Sequence, residues 1–232
     1  MGCADLACYA AKDSGRNRVQ VYRDNDKELT LRKGEMSWVS GILKALEEKR
    51  VIIFSQKIGA TAAGQTYAHH EILVRLIDDH GTIIPPGEFI PAAERYNLMT
   101  RLDLAIMDRS FAALSSSYFS DLGKDGFISI NLSGQSLSKE DFLVRTKYLM
   151  MQYRINPKQV CFEITESAAV DNQALVKQFM MEMKRLGVKF ALDDFGTGLS
   201  SLTYLKQFPV DYLKIDGSFI CLLYTSPSPR DS

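Results

Sequence analysis

The chain has 232 residues, with 28 basic and 28 acidic side chains and a formal net charge of zero. That balance excludes a broad electrostatic grip on a DNA or RNA polymer, so any nucleotide recognition has to be local. The length allows a sizeable core, while no apolar run approaches the ~20 residues a membrane-spanning helix needs, so no membrane contact is expected from this segment.

Cys3, Cys8, Cys161 and Cys221 are scattered, without Cys-x-x-Cys or metal-finger spacing, and read as reduced thiols of a cytoplasmic protein. A membrane-tethered parent stays compatible with that. Residues 4–12 look helical, Asp13-Ser14-Gly15 stops them, and 18–22 alternate like a strand. A charged surface connection follows. From 35 to 50, Met36, Val39, Leu43 and Leu46 recur at spacings of three and four, which is one amphipathic helix.

Strand-like and helical runs then alternate. Residues 51–58 and 69–77 read as strands, the second ending in a turn at Asp78-Asp79-His80-Gly81. The Pro-rich stretch 85–91 reads as a loop before one long helix, whose buried sides carry Met99, Leu102, Ile106, Met107, Phe111 and Leu114. Further strands are expected at 127–133, 160–166, 188–195 and 210–216. Helices are expected at 141–153, at 173–186 with a stop at Gly187, and briefly after Ser200. The Ser/Pro-rich residues 221–232 break the rhythm and read as a tail or artefact.

Strand and helix in alternation, without hairpin spacing, argue for parallel strands with crossover helices. A doubly wound sheet and a barrel both fit. The polar residues favour the barrel: Glu71, Asn131, Glu163, Asp193, Asp194 and Lys214 each interrupt or end an apolar strand run. One unpaired carboxylate per strand would cost several kcal/mol in a core, whereas carboxylates converging at a barrel's carboxyl rim can share a metal ion. Taken alone, Asp193-Asp194 followed by Gly196 and Gly198 fits a solvated turn as readily as a ligand-binding corner.

At these motifs the chain resembles the EAL-type phosphodiesterases of bacterial cyclic di-GMP signalling, over roughly residues 36–220. Glu71-Ile72-Leu73-Val74-Arg75 stands where that family has its Glu-Ala-Leu within E-x-L-x-R. Ile128-Ser129-Ile130-Asn131-Leu132-Ser133 resembles its asparagine strand and Phe162-Glu163-Ile164-Thr165-Glu166 its second glutamate strand. Asp193-Asp194-Phe195-Gly196-Thr197-Gly198 with Ser200-Ser201-Leu202 resembles its signature loop, and Val210-Asp211-Tyr212-Leu213-Lys214-Ile215-Asp216 its lysine strand. Residues 1–24 resemble the last helix and strand of a GGDEF domain, with 25–35 as a linker.

The resemblance implies an α/β fold of TIM-like (β/α) barrel type, incomplete here, with about six of eight strands. It implies hydrolysis of cyclic di-GMP to linear pGpG. By resemblance, Glu71, Asn131, Glu163 and Asp193 ligate one Mg²⁺ or Mn²⁺, and Asp193 with Asp194 helps hold a second in a two-metal site. Lys214 orients the attacking water or acts with it as base, for which a depressed pKa is expected. Glu166 braces the 193–198 loop, Arg75 contacts a substrate phosphate, and Gln56 lies near the substrate.

Departures set further expectations. Ile72 replaces the usual alanine and Lys57 a common proline. The family would continue beyond Ile220 with two more strands bearing a glutamate and a glutamine, so the 232-residue chain is expected to turn over little substrate. A catalytically silent cyclic di-GMP receptor is the alternative; the sequence does not give the oligomeric state, and the resemblance allows a homodimer, since EAL-type domains often pair near the signature loop.

Overall fold

The computed structural model describes residues 27–59, 68–171, 173–196 and 208–217. The expected elements at 4–12, at 18–22 and after Ser200, together with the 221–232 tail, lie outside the described residues. The chain divides into two compact units, one of 1–50 with 75–98 and one of 51–74 with 99–232.

In the first unit a helix runs over Lys27–Glu47, starting about two turns before the expected 35 and running through most of the expected linker. Lys, Leu, Arg and Glu favour helix there strongly enough to extend it past the apolar periodicity. Lys44 and Arg50 both reach the Asp79 carboxylate, at 2.8 Å each. Asp78 Oδ1 accepts from the backbone N–H groups of His80 and Thr82 at 2.8 Å, closing the turn.

Two expectations fail in this unit. A short strand, Ile83–Ile84, pairs antiparallel with the end of the His69–Ile77 strand, so a hairpin is present. Two residues are too few to carry a period. The Pro-rich stretch is not a loop but the helix Pro86–Arg95, with Pro85 as N-cap, Pro86 in the first turn and Pro91 inside. Proline is well suited to the first helical position, where its missing N–H has no partner to lose. The expected single long helix is therefore two, separated at Asn97, whose φ of 56° breaks the helical path.

The second unit carries the sheet. Its strands are β1 (Val51–Ile58), β2 (His69–Ile77, which continues into the first unit and its β3, Ile83–Ile84), β4 (Phe127–Leu132), β5 (Val160–Thr165), β6 (Lys189–Phe195) and β7 (Tyr212–Ile215). Their order is β1-β2-β4-β5-β6-β7, and the pairs β2–β4, β4–β5, β5–β6 and β6–β7 are parallel. Among the described residues, β1 and β7 are the two ends of this order. Helices Met99–Leu114, Glu140–Gln152 and Gln173–Leu186 form the crossovers, and Gly187 at φ 105° ends the last, as its position predicts.

Register divides each strand into two sets. Ile72, Ile128, Ile130, Leu132, Phe162, Ile164, Phe190 and Leu192 are all buried. Phe162 and Phe190 meet Phe179 of the Gln173–Leu186 helix at centroid distances of 5.9 and 6.2 Å, and Phe179 lies 5.6 Å from Phe142. This side holds most of the apolar core. The alternate residues Glu71, Asn131, Glu163, Asp193 and Lys214 face the other way and are left for chemistry.

Candidate active site

The ladder alone brings the site residues close. Asn131 is paired with Glu163, Glu71 with Ser129 two residues before Asn131, and Asp193 with Thr165 two residues beyond Glu163. Opposite residues of a parallel pair share a face, so the polar groups collect on one face, late in β4, β5 and β6 and level with the early part of the longer β2. Directly before β7, Asp211 sets the height of Lys214. Its Oδ2 accepts from Phe190 N–H at 2.9 Å, its Oδ1 accepts from Lys184 at 2.6 Å, and its own N–H donates to Phe190 O at 2.8 Å.

The Lys214 ammonium is where these groups meet. Its Nζ lies 2.6 Å from Glu163 Oε2, 2.9 Å from Asp193 Oδ2 and 3.5 Å from Glu71 Oε2. Asn131 Nδ2 donates to the other oxygen of Glu71 at 3.3 Å. Glu163 is 2 % exposed, while Glu71 and Asp193 are each 21 % exposed. Burial raises the pKa of the Glu163 carboxyl, the charge of Glu71 adds to the rise, and the Lys214 ammonium opposes it.

Lys214 departs from the expected depressed pKa. Burial alone would lower it, but hydrogen bonds to Glu163 and Asp193 and their charges outweigh burial, and the shift is upward. The group is a firmly protonated ammonium with carboxylates around it. The adjacent Asp194 has φ 55°, a left-handed conformation that Asp tolerates, and its N–H donates to Asp193 Oδ1 at 2.9 Å. Its pKa is raised, first by burial and then by the charges of Asp193 and Asp216. Gly196 follows at φ 102°, where a side chain would strain the turn.

Three expected residues stand outside this knot. Glu166 is half-buried and opens the helix Glu166–Asp171 directly after β5. Arg75 is half-buried on β2, four residues beyond Glu71 and on the same strand face. Gln56 is exposed on β1. Its neighbour Lys57 and His70 of β2 both reach Asp121, at 2.9 and 3.0 Å.

One supporting group escaped the sequence reading. Asp103 is buried, and its Oδ2 accepts from Ser133 N–H at 3.0 Å, Ser133 Oγ at 2.7 Å and Ser136 Oγ at 2.6 Å. It thereby anchors the chain two residues beyond Asn131. A lone carboxylate on the apolar side of the Met99–Leu114 helix was the available signal.

The donor set fits a hard divalent cation: carboxylate and amide oxygens, no sulfur, and three carboxylates already turned toward one positive charge. Among the described residues, no three His, Cys, Asp or Glu side chains are spaced to hold a metal ion as they stand. The present spacing serves the ammonium. No described helix is long and apolar enough to cross a membrane.

The EAL domain family matches residues 41–231. The cyclic di-GMP phosphodiesterase PdeB of Shewanella oneidensis is 41% identical over 220 residues, covering 94% of this chain and 25% of that protein. The cyclic di-GMP phosphodiesterase PdeA of Borreliella burgdorferi is 32% identical over 223 residues, covering 95% of this chain and 32% of that protein. The chain thus spans about a quarter to a third of the length of these curated relatives. Among solved structures, the FimX EAL domain from Pseudomonas aeruginosa bound to c-di-GMP superposes with a TM-score of 0.73 at 26% identity, covering 81% of this chain and 74% of that one. The PaMucR phosphodiesterase in its c-di-GMP complex gives 0.71 at 27% identity, covering 82% and 76%. The fold is accordingly a TIM-like barrel, not closed among the described residues. With a family match across most of its length and a relative 41% identical over 94% of it, the chain belongs to the EAL domain family.

Proposed function

We propose that this chain is the catalytic domain of a metal-dependent phosphodiesterase that hydrolyses cyclic di-GMP to linear pGpG. The observation that carries the reading is the convergence of Glu71, Glu163 and Asp193 on Lys214, with Asn131 tied to Glu71. Two named cyclic di-GMP phosphodiesterases among the relatives support the substrate.

Glu71, Asn131, Glu163 and Asp193 would hold one Mg²⁺ or Mn²⁺, and Asp193 with Asp194 would help hold a second. Such ions supply Lewis acidity and acidify bound water. The chain's own residues do the rest. Lys214 orients the attacking water, or acts with it as base, and faces the charge that builds on the phosphodiester. Arg75 offers a planar fork to a phosphate, Gln56 approaches the same ligand from β1, and Glu166 braces the turn after Asp193. A cytoplasmic homodimer completes the proposal, and the free, buried thiol of Cys161 agrees with a reducing compartment.

The test is incubation of the purified chain with cyclic di-GMP and Mg²⁺ or Mn²⁺, with products separated by chromatography. Appearance of pGpG that stops on chelation supports the reading. Tight binding without product under both ions would make the domain a receptor. The expectation that the chain turns over little substrate gains no support from the comparisons, and this measurement decides it.

A further inference from the structure

Lys214 does more in this structure than a donor to a water molecule requires. Its ammonium contacts the same carboxylate oxygens, Glu163 Oε2 and Asp193 Oδ2, that the proposed function assigns to a divalent cation. Glu71 Oε2 completes the set at 3.5 Å. A hard dication binds carboxylate oxygen at roughly 2.0–2.6 Å, closer than an ammonium, and needs the inner lone pairs those oxygens now offer to Nζ. The two cations cannot both be served at full strength.

We propose that Lys214 is a built-in competitor for the divalent cation: it neutralises the carboxylate cluster when no dication is bound, and it must swing off Glu163 and Asp193 for one to bind. The inference rests on the proposed metal-dependent reading. Its physical basis is charge. Three carboxylates gathered from β2, β5 and β6 repel one another, and Glu163 sits at 2 % exposure where solvent cannot screen it. One ammonium keeps the strands' carboxyl ends together at the expense of metal affinity. The side chain is 31 % exposed and its four-carbon stem is flexible, so it has somewhere to go. Metal occupancy then controls where Lys214 points, and the ammonium is released toward the substrate side only in the loaded domain. The same contact would tune which metal concentrations load the site.

The experiment titrates Mn²⁺ alone into the purified chain by calorimetry, comparing the unaltered protein with Lys214→Met, which keeps length and removes charge. The competitor role predicts Mn²⁺ affinity on the order of tenfold tighter in Lys214→Met, the scale of coupling lost with a close charge pair. It also predicts lower thermal stability in chelator and a larger gain in melting temperature on adding Mn²⁺. Equal or weaker Mn²⁺ binding by the folded variant overturns the competitor role while leaving metal dependence standing. Absence of Mn²⁺ binding by both proteins overturns the metal-dependent reading and the competitor role with it. A second measurement needs no variant. Acetylation of Lys214 in the unaltered protein, read by mass spectrometry, should rise several-fold when Mg²⁺ replaces chelator, against an unchanged Lys158 as internal standard. No rise, or a fall, overturns the displacement of the ammonium.

Discussion

Lys214 Nζ stands 2.6 Å from Glu163 Oε2, so the ammonium of the last described strand is the counter-charge of the most deeply buried carboxylate in the site. Replacing Glu163 by Gln keeps the shape but leaves Lys214 with one partner fewer and removes a proposed metal ligand. Hydrolysis of cyclic di-GMP should fall by at least about 100-fold, the upper scale already reached when mere outer-sphere partners of a metal are lost. Steady-state rates, with circular dichroism to confirm folding, check it.

Arg75→Ala should weaken cyclic di-GMP binding by about 1.5–3 kcal/mol, the worth of a hydrogen bond to a charged group. Arg75→Lys should restore only part of it, because a point charge cannot reproduce the planar fork. The readout is a ligand titration in Ca²⁺, a hard dication bound by oxygen ligands in a different geometry from Mg²⁺.

Asp103→Ala should destabilise the fold by about 2–4 kcal/mol, since two serine hydroxyls and a backbone N–H would lose their shared acceptor in a buried place. Urea unfolding measures this. Loss of Mn²⁺ affinity in the same variant would show that the anchor also places Asn131.

Asp121 ties Lys57 to His70, and the Lys57 ammonium, followed by His70, holds its carboxyl below the ordinary value. A depressed carboxyl contributes stability that is present above its unfolded pKa near 3.8 and is lost as pH falls through the lower folded value. Asp121→Asn should therefore lower stability in the neutral region, flatten the acid limb below about pH 4, and converge with the unaltered protein at the lowest pH. Thermal melts across pH 2–7 test it; a steeper acid limb in the variant would contradict the assignment.

Gly126→Ala should be among the most damaging small changes in the domain. A β-carbon there would overlap the backbone carbonyls of Leu122 and Ala68, neither of which is a flexible side-chain end. A loss of about 3 kcal/mol or more, or failure to accumulate as folded protein, is expected, and urea titration or soluble yield reports it.

Much of this architecture could be read directly. The strand His69–Ile77 and the helix Gln173–Leu186 fall where local patterns put them, because an apolar run bounded by turn residues and a 3.6-residue stripe closed by Gly187 are local signals. The helix at Pro86–Arg95 and the two-residue strand Ile83–Ile84 were not legible. The first runs against proline's reputation, and the second gains its strand character only from pairing with Leu76 and Ile77. For the site, Glu71, Asn131, Glu163, Asp193 and Lys214 announce themselves as polar interruptions of apolar strands.

What residue order alone could not decide is the state of Lys214. Its protonation depends on how near Glu163 and Asp193 come and on how far burial is outweighed, and those distances exist only once β5, β6 and β7 are aligned in register. Sequence determined which groups are present, and the parallel ladder decided that an ammonium stands among three carboxylates. The buried anchor at Asp103 belongs to the same class. Its carboxylate was plain in the sequence, but its three donors come from a segment 30 residues away, and only packing brings them to it.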